Sequence, residues 1–158
     1  MAKEEVILNI EKFVQFHRNR VSLLKGLAKD KSHGKLIYQI SFLGFESLAK
    51  ILYQKDGPGK RFTSLLTIPN MGVDMAKAKE LWGLWRHSLF HQGFIAEPWT
   101  TLEAWSEYDI AFLSYPENKP RSSVEYPPES MIAIYETRID YLEEFFKKTN
   151  TKQIEFNH

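Results

Sequence analysis

Apolar positions recur along this chain with helical spacing over most of its length. From Lys3 to about Lys29, Ile10, Phe13, Val14, Val21 and Leu24 return at three- and four-residue steps, predicting one long amphipathic helix with His17 on its stripe. The turn formers of "DKSHG" break it. "KLIYQISFLGFESLAKILYQKDGPG" then predicts a second helix from about Lys35 until Gly57 and Pro58 stop it. That helix is apolar over most of its circumference, with Glu46 set among its aromatic residues. "GKRFTSLLTIPNMG" reads as a loop with one short turn. Asp74 caps a third helix running to about Gln92, with Gly93 as its stop.

The proline-rich segment 94 to 127 is ambiguous. "TTLE" at Thr100 fits a capping box and Leu102, Trp105, Phe112 and Leu113 fit a helical stripe, yet "YDIAFLSY" also fits a strand; a short helix is the preferred reading. Pro128 opens a last helix, about Glu129 to Thr149, which carries Ile132, Ile134, Tyr135, Ile139, Leu142, Phe145 and Phe146 and should close the bundle. The pattern as a whole predicts an all-α fold, an up-and-down bundle of four to five helices in one domain over residues 1–158, with residues 94–127 as an irregular insertion before the last helix.

Composition narrows the function classes. At 158 residues, with 43% hydrophobic and 26% charged residues, the chain suits a single globular domain. A formal charge of +1 supplies no global field to attract nucleic acid, so any RNA contact must be local. The absence of cysteine removes disulfides, thiolate metal sites and cysteine nucleophiles together. "MAKEEVILNIEKF" places acids before its apolar residues, which argues against a signal peptide or a membrane span and for a cytoplasmic location.

Candidate chemistry concentrates in "WGLWRHSLFHQGF", where Arg86, His87 and His91 sit among bulky apolar side chains. Such groups are costly to bury without partners. Three readings follow. His87 and His91, four apart, share a helix face at a spacing used by metal sites in bundles, with His17 or Glu46 needed as a further ligand. Alternatively, Arg86 pairs with a buried Glu46 and the histidines satisfy carbonyls, so that the helix only holds a bundle or dimer together. In that reading Glu46 has a competing surface partner in Lys50. His17 reads as a core histidine with one bonded nitrogen.

The third reading is a resemblance. "RHSLFH", an arginine, four residues and a histidine near the end of the third helix of a helical bundle, resembles the defining motif of the HEPN superfamily, and "ISFLGFESLAKIL" resembles that family's second helix, with Glu46 in the position that faces the motif. The resemblance covers the four main helices and excludes residues 94–127. It implies a metal-independent, cofactor-free endoribonuclease acting on single-stranded RNA through the 2′-hydroxyl as a homodimer, in a toxin or defence setting, with an antitoxin or a nucleotidyltransferase as partner. It also allows a non-catalytic binding or dimerisation domain. Under it Arg86 contacts phosphate and His91 exchanges protons, with His87 and Glu46 supporting them. Family members under nucleotidyltransferase control carry a tyrosine two residues after the motif histidine; Gly93 stands there in this chain.

Two geometric consequences attach to this reading. On a straight α-helix Arg86 and His91 point about 140° apart, so they converge only where the helix ends or bends. The all-round apolar surface from Leu81 to Phe90 predicts a homodimer with the third helices near the two-fold axis. Lys50, Lys55, Lys60 and Arg61 are candidates for the rim of an RNA groove, with an ordinary solvated surface as the plainer alternative.

Overall fold

A computed structural model describes residues 5–30, 33–69, 73–83, 85–86 and 128–157. Those residues form five helices, α1 (Ile10–Leu27), α2 (Gly34–Leu52), α3 (Pro58–Leu66), α4 (Met75–Gly83) and α5 (Pro128–Lys148), and two short strands, β1 (Glu5–Asn9) and β2 (Gln153–Asn157). The molecule is the all-α bundle its apolar periodicity predicts. The predicted insertion at 94–127 lies outside the described residues.

Three elements differ from expectation. The first helix starts at Ile10, because residues 5–9 pair antiparallel with β2, Ile7 opposite Glu155 and Leu8 opposite Ile154. Alternation explains the change: Leu8 and Ile154 pack against the helices while Ile7 faces solvent. Asn9 ends the strand and caps α1, its side-chain oxygen accepting the Lys12 amide at 3.0 Å.

The segment expected as a loop after the second helix contains a true helix, α3. Pro58 occupies its first turn, and Phe62, Leu65 and Leu66 form a fully buried stripe. Asp74 does cap the next helix, its carboxylate accepting the Lys77 amide at 2.8 Å. Beyond Gly83 the described backbone widens to a π-type turn at Trp85 and Arg86.

α5 packs along both α1 and α2, α3 bridges α2 to α4, and the core runs down the centre. Gly44 lets α5 approach α2: a Cβ there would fall within the Tyr135 ring. The aromatic residues Phe42, Phe45 and Phe62 form the middle of the core, Phe42 and Phe62 stacking at 5.5 Å. Arg138, fully buried on α5, donates from Nε to the Leu65 carbonyl at 3.1 Å and from Nη2 to the Leu66 carbonyl at 2.7 Å. It closes the C-terminal end of α3, whose last carbonyls have no intrahelical partners.

Candidate functional site

The described part of the motif helix is anchored by its tryptophans. Trp82 tilts against Phe62 with ring centroids 5.1 Å apart, in the space left open at Gly59. Trp85 is buried and stacks flat on Phe42 at 5.6 Å. These contacts place the end of α4 over α2. Phe42 and Glu46, four residues apart, lie on one face of α2, so the stack brings Trp85 and Arg86 to the α2 face that carries Glu46.

Arg86 is exposed, with its guanidinium 5.7 Å from the centre of the Trp82 ring. Glu46 is half-buried, and among the described residues it and Arg86 form no ion pair. The predicted pairing of a buried Glu46 with a buried Arg86 is therefore not what holds the described end of this helix; aromatic packing does. His87 and His91 lie outside the described residues. Of the basic residues considered for a rim, Lys50, Lys55 and Lys60 are exposed and Arg61 is half-buried, and Lys60 pairs with Asp56 at 3.4 Å.

Leu81 and Trp85, two members of the apolar run that predicts a dimer, are buried within a single copy by these contacts. These two residues therefore need no second copy to cover them; Leu84, Leu89 and Phe90 lie outside the described side chains.

A second polar constellation lies where α1, α2 and α5 meet. His17 is completely buried, its Nδ1 bonded to the Tyr135 hydroxyl and its Nε2 3.2 Å from Ser47 Oγ. Phe13 and Phe16 hold the imidazole edge-on at 4.6 and 5.2 Å. Burial, with the nearby Arg20 charge adding to it, pushes the His17 pKa down to about 3, so the ring is neutral at pH 7. Burial pushes Tyr135 up to about 12, opposed in part by the charge and hydrogen bond of Arg20.

One proton order satisfies the whole group. Arg20 donates to the Tyr135 oxygen, Tyr135 donates to Nδ1, and the Nε2–H donates to Ser47. Ser47 is then an acceptor, so the trio is not a nucleophile with its base. Both nitrogens of His17 are engaged, which removes it as a third metal ligand. The expectation of a core histidine holds, with two bonded nitrogens in place of one. No group of three or more His, Asp or Glu side chains suited to a metal occurs among the described residues.

Arg138 is the functional-looking residue that sequence reasoning passed over. The available signal was its position on the buried stripe of the last helix, between Tyr135 and Leu142.

Among the described residues no helix is long and apolar enough to cross a membrane. The fold defines a small helical-bundle protein, with the α4 terminus as its candidate site. Comparisons with protein-family models, curated proteins and solved structures gave no match to this chain.

Proposed function

We propose that this protein is a metal-independent endoribonuclease of the HEPN type, cleaving single-stranded RNA through its own 2′-hydroxyl in the cytoplasm, with Arg86 and His91 as catalytic residues. The observation that carries the reading is the setting of Arg86. It stands exposed beyond Gly83, its guanidinium 5.7 Å from the centre of the Trp82 ring, next to Trp85, which stacks on the α2 residue Phe42 one turn from Glu46. On a straight helix Arg86 and His91 would diverge by about 140°, so their joint action requires the chain to bend between them.

In the proposed reaction His91 takes the 2′-hydroxyl proton as the oxygen attacks the adjacent phosphorus. The bond to the 5′-oxygen breaks, and an imidazolium returns a proton to that leaving oxygen, giving a 2′,3′-cyclic phosphate and a 5′-hydroxyl. Arg86 binds the phosphate oxygens that gain charge in the transition state. A homodimer that brings two motifs to one cleft supplies the second histidine as the acid, and His87 and Glu46 orient these groups. A toxin or defence role with an antitoxin or nucleotidyltransferase partner belongs to the same proposal.

The test is cleavage of varied single-stranded RNAs in EDTA, with the product ends identified. Arg86→Ala and His91→Ala should each lower the rate by about 10²- to 10⁴-fold, with His87→Ala closer to wild type. A wild-type protein inert on all substrates in EDTA, or alanine variants as active as wild type, overturns the assignment. Activity restored only by zinc or iron supports the metal reading instead.

A further inference from the structure

The α1–α2 hairpin has an outer face that no described element covers. α1 and α2 run antiparallel, tied at one end by the turn in which His33 Nδ1 bonds the Leu27 carbonyl at 3.0 Å and in the middle by the His17–Ser47 contact. The core stripe of α1 is Ile10, Val14, His17, Val21 and Leu24. Helical spacing places Phe16, Arg20 and Leu23 on the flank of that stripe, and Leu36, Ile40 and Leu43 on the facing flank of α2. The result is a shallow groove between the two helices. Its apolar walls stay open to solvent: Phe16 is 52% exposed, Leu23 56%, Leu36 41% and Leu43 46%.

The charges of α1 divide sharply between its two sides. Arg18 and Lys25, on the side towards α5, are matched by carboxylates: Asp140 at 3.0 Å, Glu143 at 3.2 Å and Glu136 at 2.9 Å. Arg20, on the groove side, is half-buried and held by the Phe16 ring at 4.6 Å and by the Tyr135 hydroxyl; among the described residues no carboxylate pairs with it. Lys12 and Lys50, both exposed, flank the end of the groove away from the turn. The groove is therefore apolar with a fixed cation at its centre, and among the described residues no acid pairs with that cation.

We infer that the α1–α2 groove is a docking site for an amphipathic helix from a partner protein, with apolar residues at i, i+4 and i+7 set against Phe16, Leu23, Leu36 and Leu43 and an acidic residue paired with Arg20. Helix-in-groove recognition uses anchors of this spacing. Arg20 is already immobilised by its ring and phenol contacts, so a carboxylate meets a preorganised fork of donors. A second copy of this chain is the wrong occupant. Two-fold pairing sets like against like near the axis, bringing one Arg20 towards the other inside an apolar seam. The inference is independent of the nuclease reading, since it uses neither Arg86 nor His91.

The experiment selects a displayed library of 18-residue helices, apolar at i, i+4, i+7 and i+11 and randomised at the polar positions, against the whole protein. Enriched helices should carry Asp or Glu at one fixed position and should bind Leu43→Glu at least tenfold more weakly. Selection against Arg20→Glu should switch that position to Lys or Arg. Met75→Glu, on α4 and 46% exposed, should bind like wild type. If thermal melts show Arg20→Glu to be unfolded, Arg20→Gln replaces it and should erase the acidic preference. Failure to enrich any helix, enrichment without a charge preference, or binding indifferent to Leu43→Glu overturns the inference. So does self-association that Leu43→Glu abolishes, which would make a second copy the occupant.

Discussion

His17 shows how much one buried ring can couple stability to pH. Its folded pKa of about 3 lies below the unfolded value of 6.5, so the unfolded chain binds the extra proton. The stability tied to the neutral ring is fully present above pH 6.5 and is lost as pH falls from 6.5 towards 3, by on the order of 5 kcal/mol in all. Urea melts at pH 7 and 4.5 should show about 3 kcal/mol of this loss in wild type, and a much shallower acid dependence in His17→Gln. An NMR titration placing the His17 pKa near 6.5 contradicts the prediction. Arg86 behaves oppositely because it is exposed. Arg86→Ala removes its contact with the Trp82 ring and should change unfolding free energy by no more than about 1 kcal/mol, so a complete loss of RNA cleavage in that variant reports on chemistry. A large drop in its melting temperature would return Arg86 to a structural role.

Among the elements, α2 and α3 depend on contacts that helical propensity does not describe. Gly44 in mid-α2 costs helix stability by itself, yet it is the position where the Tyr135 ring passes. Gly44→Ala should therefore destabilise the protein by about 1–3 kcal/mol, against the helix-propensity trend, measured by chemical denaturation. A stabilised Gly44→Ala would mean that α5 does not approach α2 in this way. At the end of α3, Arg138→Met removes donors from two buried carbonyls and should cost about 2–4 kcal/mol. Arg138→Lys should recover only part of this, since a single ammonium cannot reproduce the planar fork. An Arg138→Met variant as stable as wild type would show that water serves those carbonyls equally well.

At the scale of the whole molecule, the β1–β2 ribbon closes the bundle by joining the two ends of the described chain beneath α1 and α5. Its partly buried Leu8 and Ile154 pack against the core, and the Ile10 amide donates to the Lys152 carbonyl at 3.0 Å. A two-stranded ribbon is marginal alone, so Leu8→Asp should release it from the helices and lower the melting temperature by several degrees. Hydrogen exchange should then lose protection at both strands together; protection lost at one strand only would refute the pairing.

The first, second and last helices, their apolar faces and the cap at Asp74 were legible in the chain because helical periodicity is a local property, repeated every few residues; the predicted end of the third helix at Gln92 and Gly93 lies outside the described residues. His17 as a core residue and Glu46 on the second helix were legible for the same reason. Residues 5–9 were read into the first helix because a short strand is defined by its partner, and β2 lies at the other end of the sequence. α3 was underestimated because its nine residues gain stability from a stripe buried against α2 and from Arg138, 72 residues beyond Leu66. Arginine on an amphipathic helix reads as solvent-facing until a neighbouring helix end offers it carbonyls. The sequence alone thus determined the all-helical class, the main apolar stripes and the candidate motif. Only the tertiary structure decided that His17 bonds through both nitrogens, that Arg138 is buried, that Arg86 does not pair with Glu46 and that Arg20 stands in an open groove. Each of these depends on which distant backbone or side chain arrives within about 3–6 Å, a distance that local periodicity does not encode.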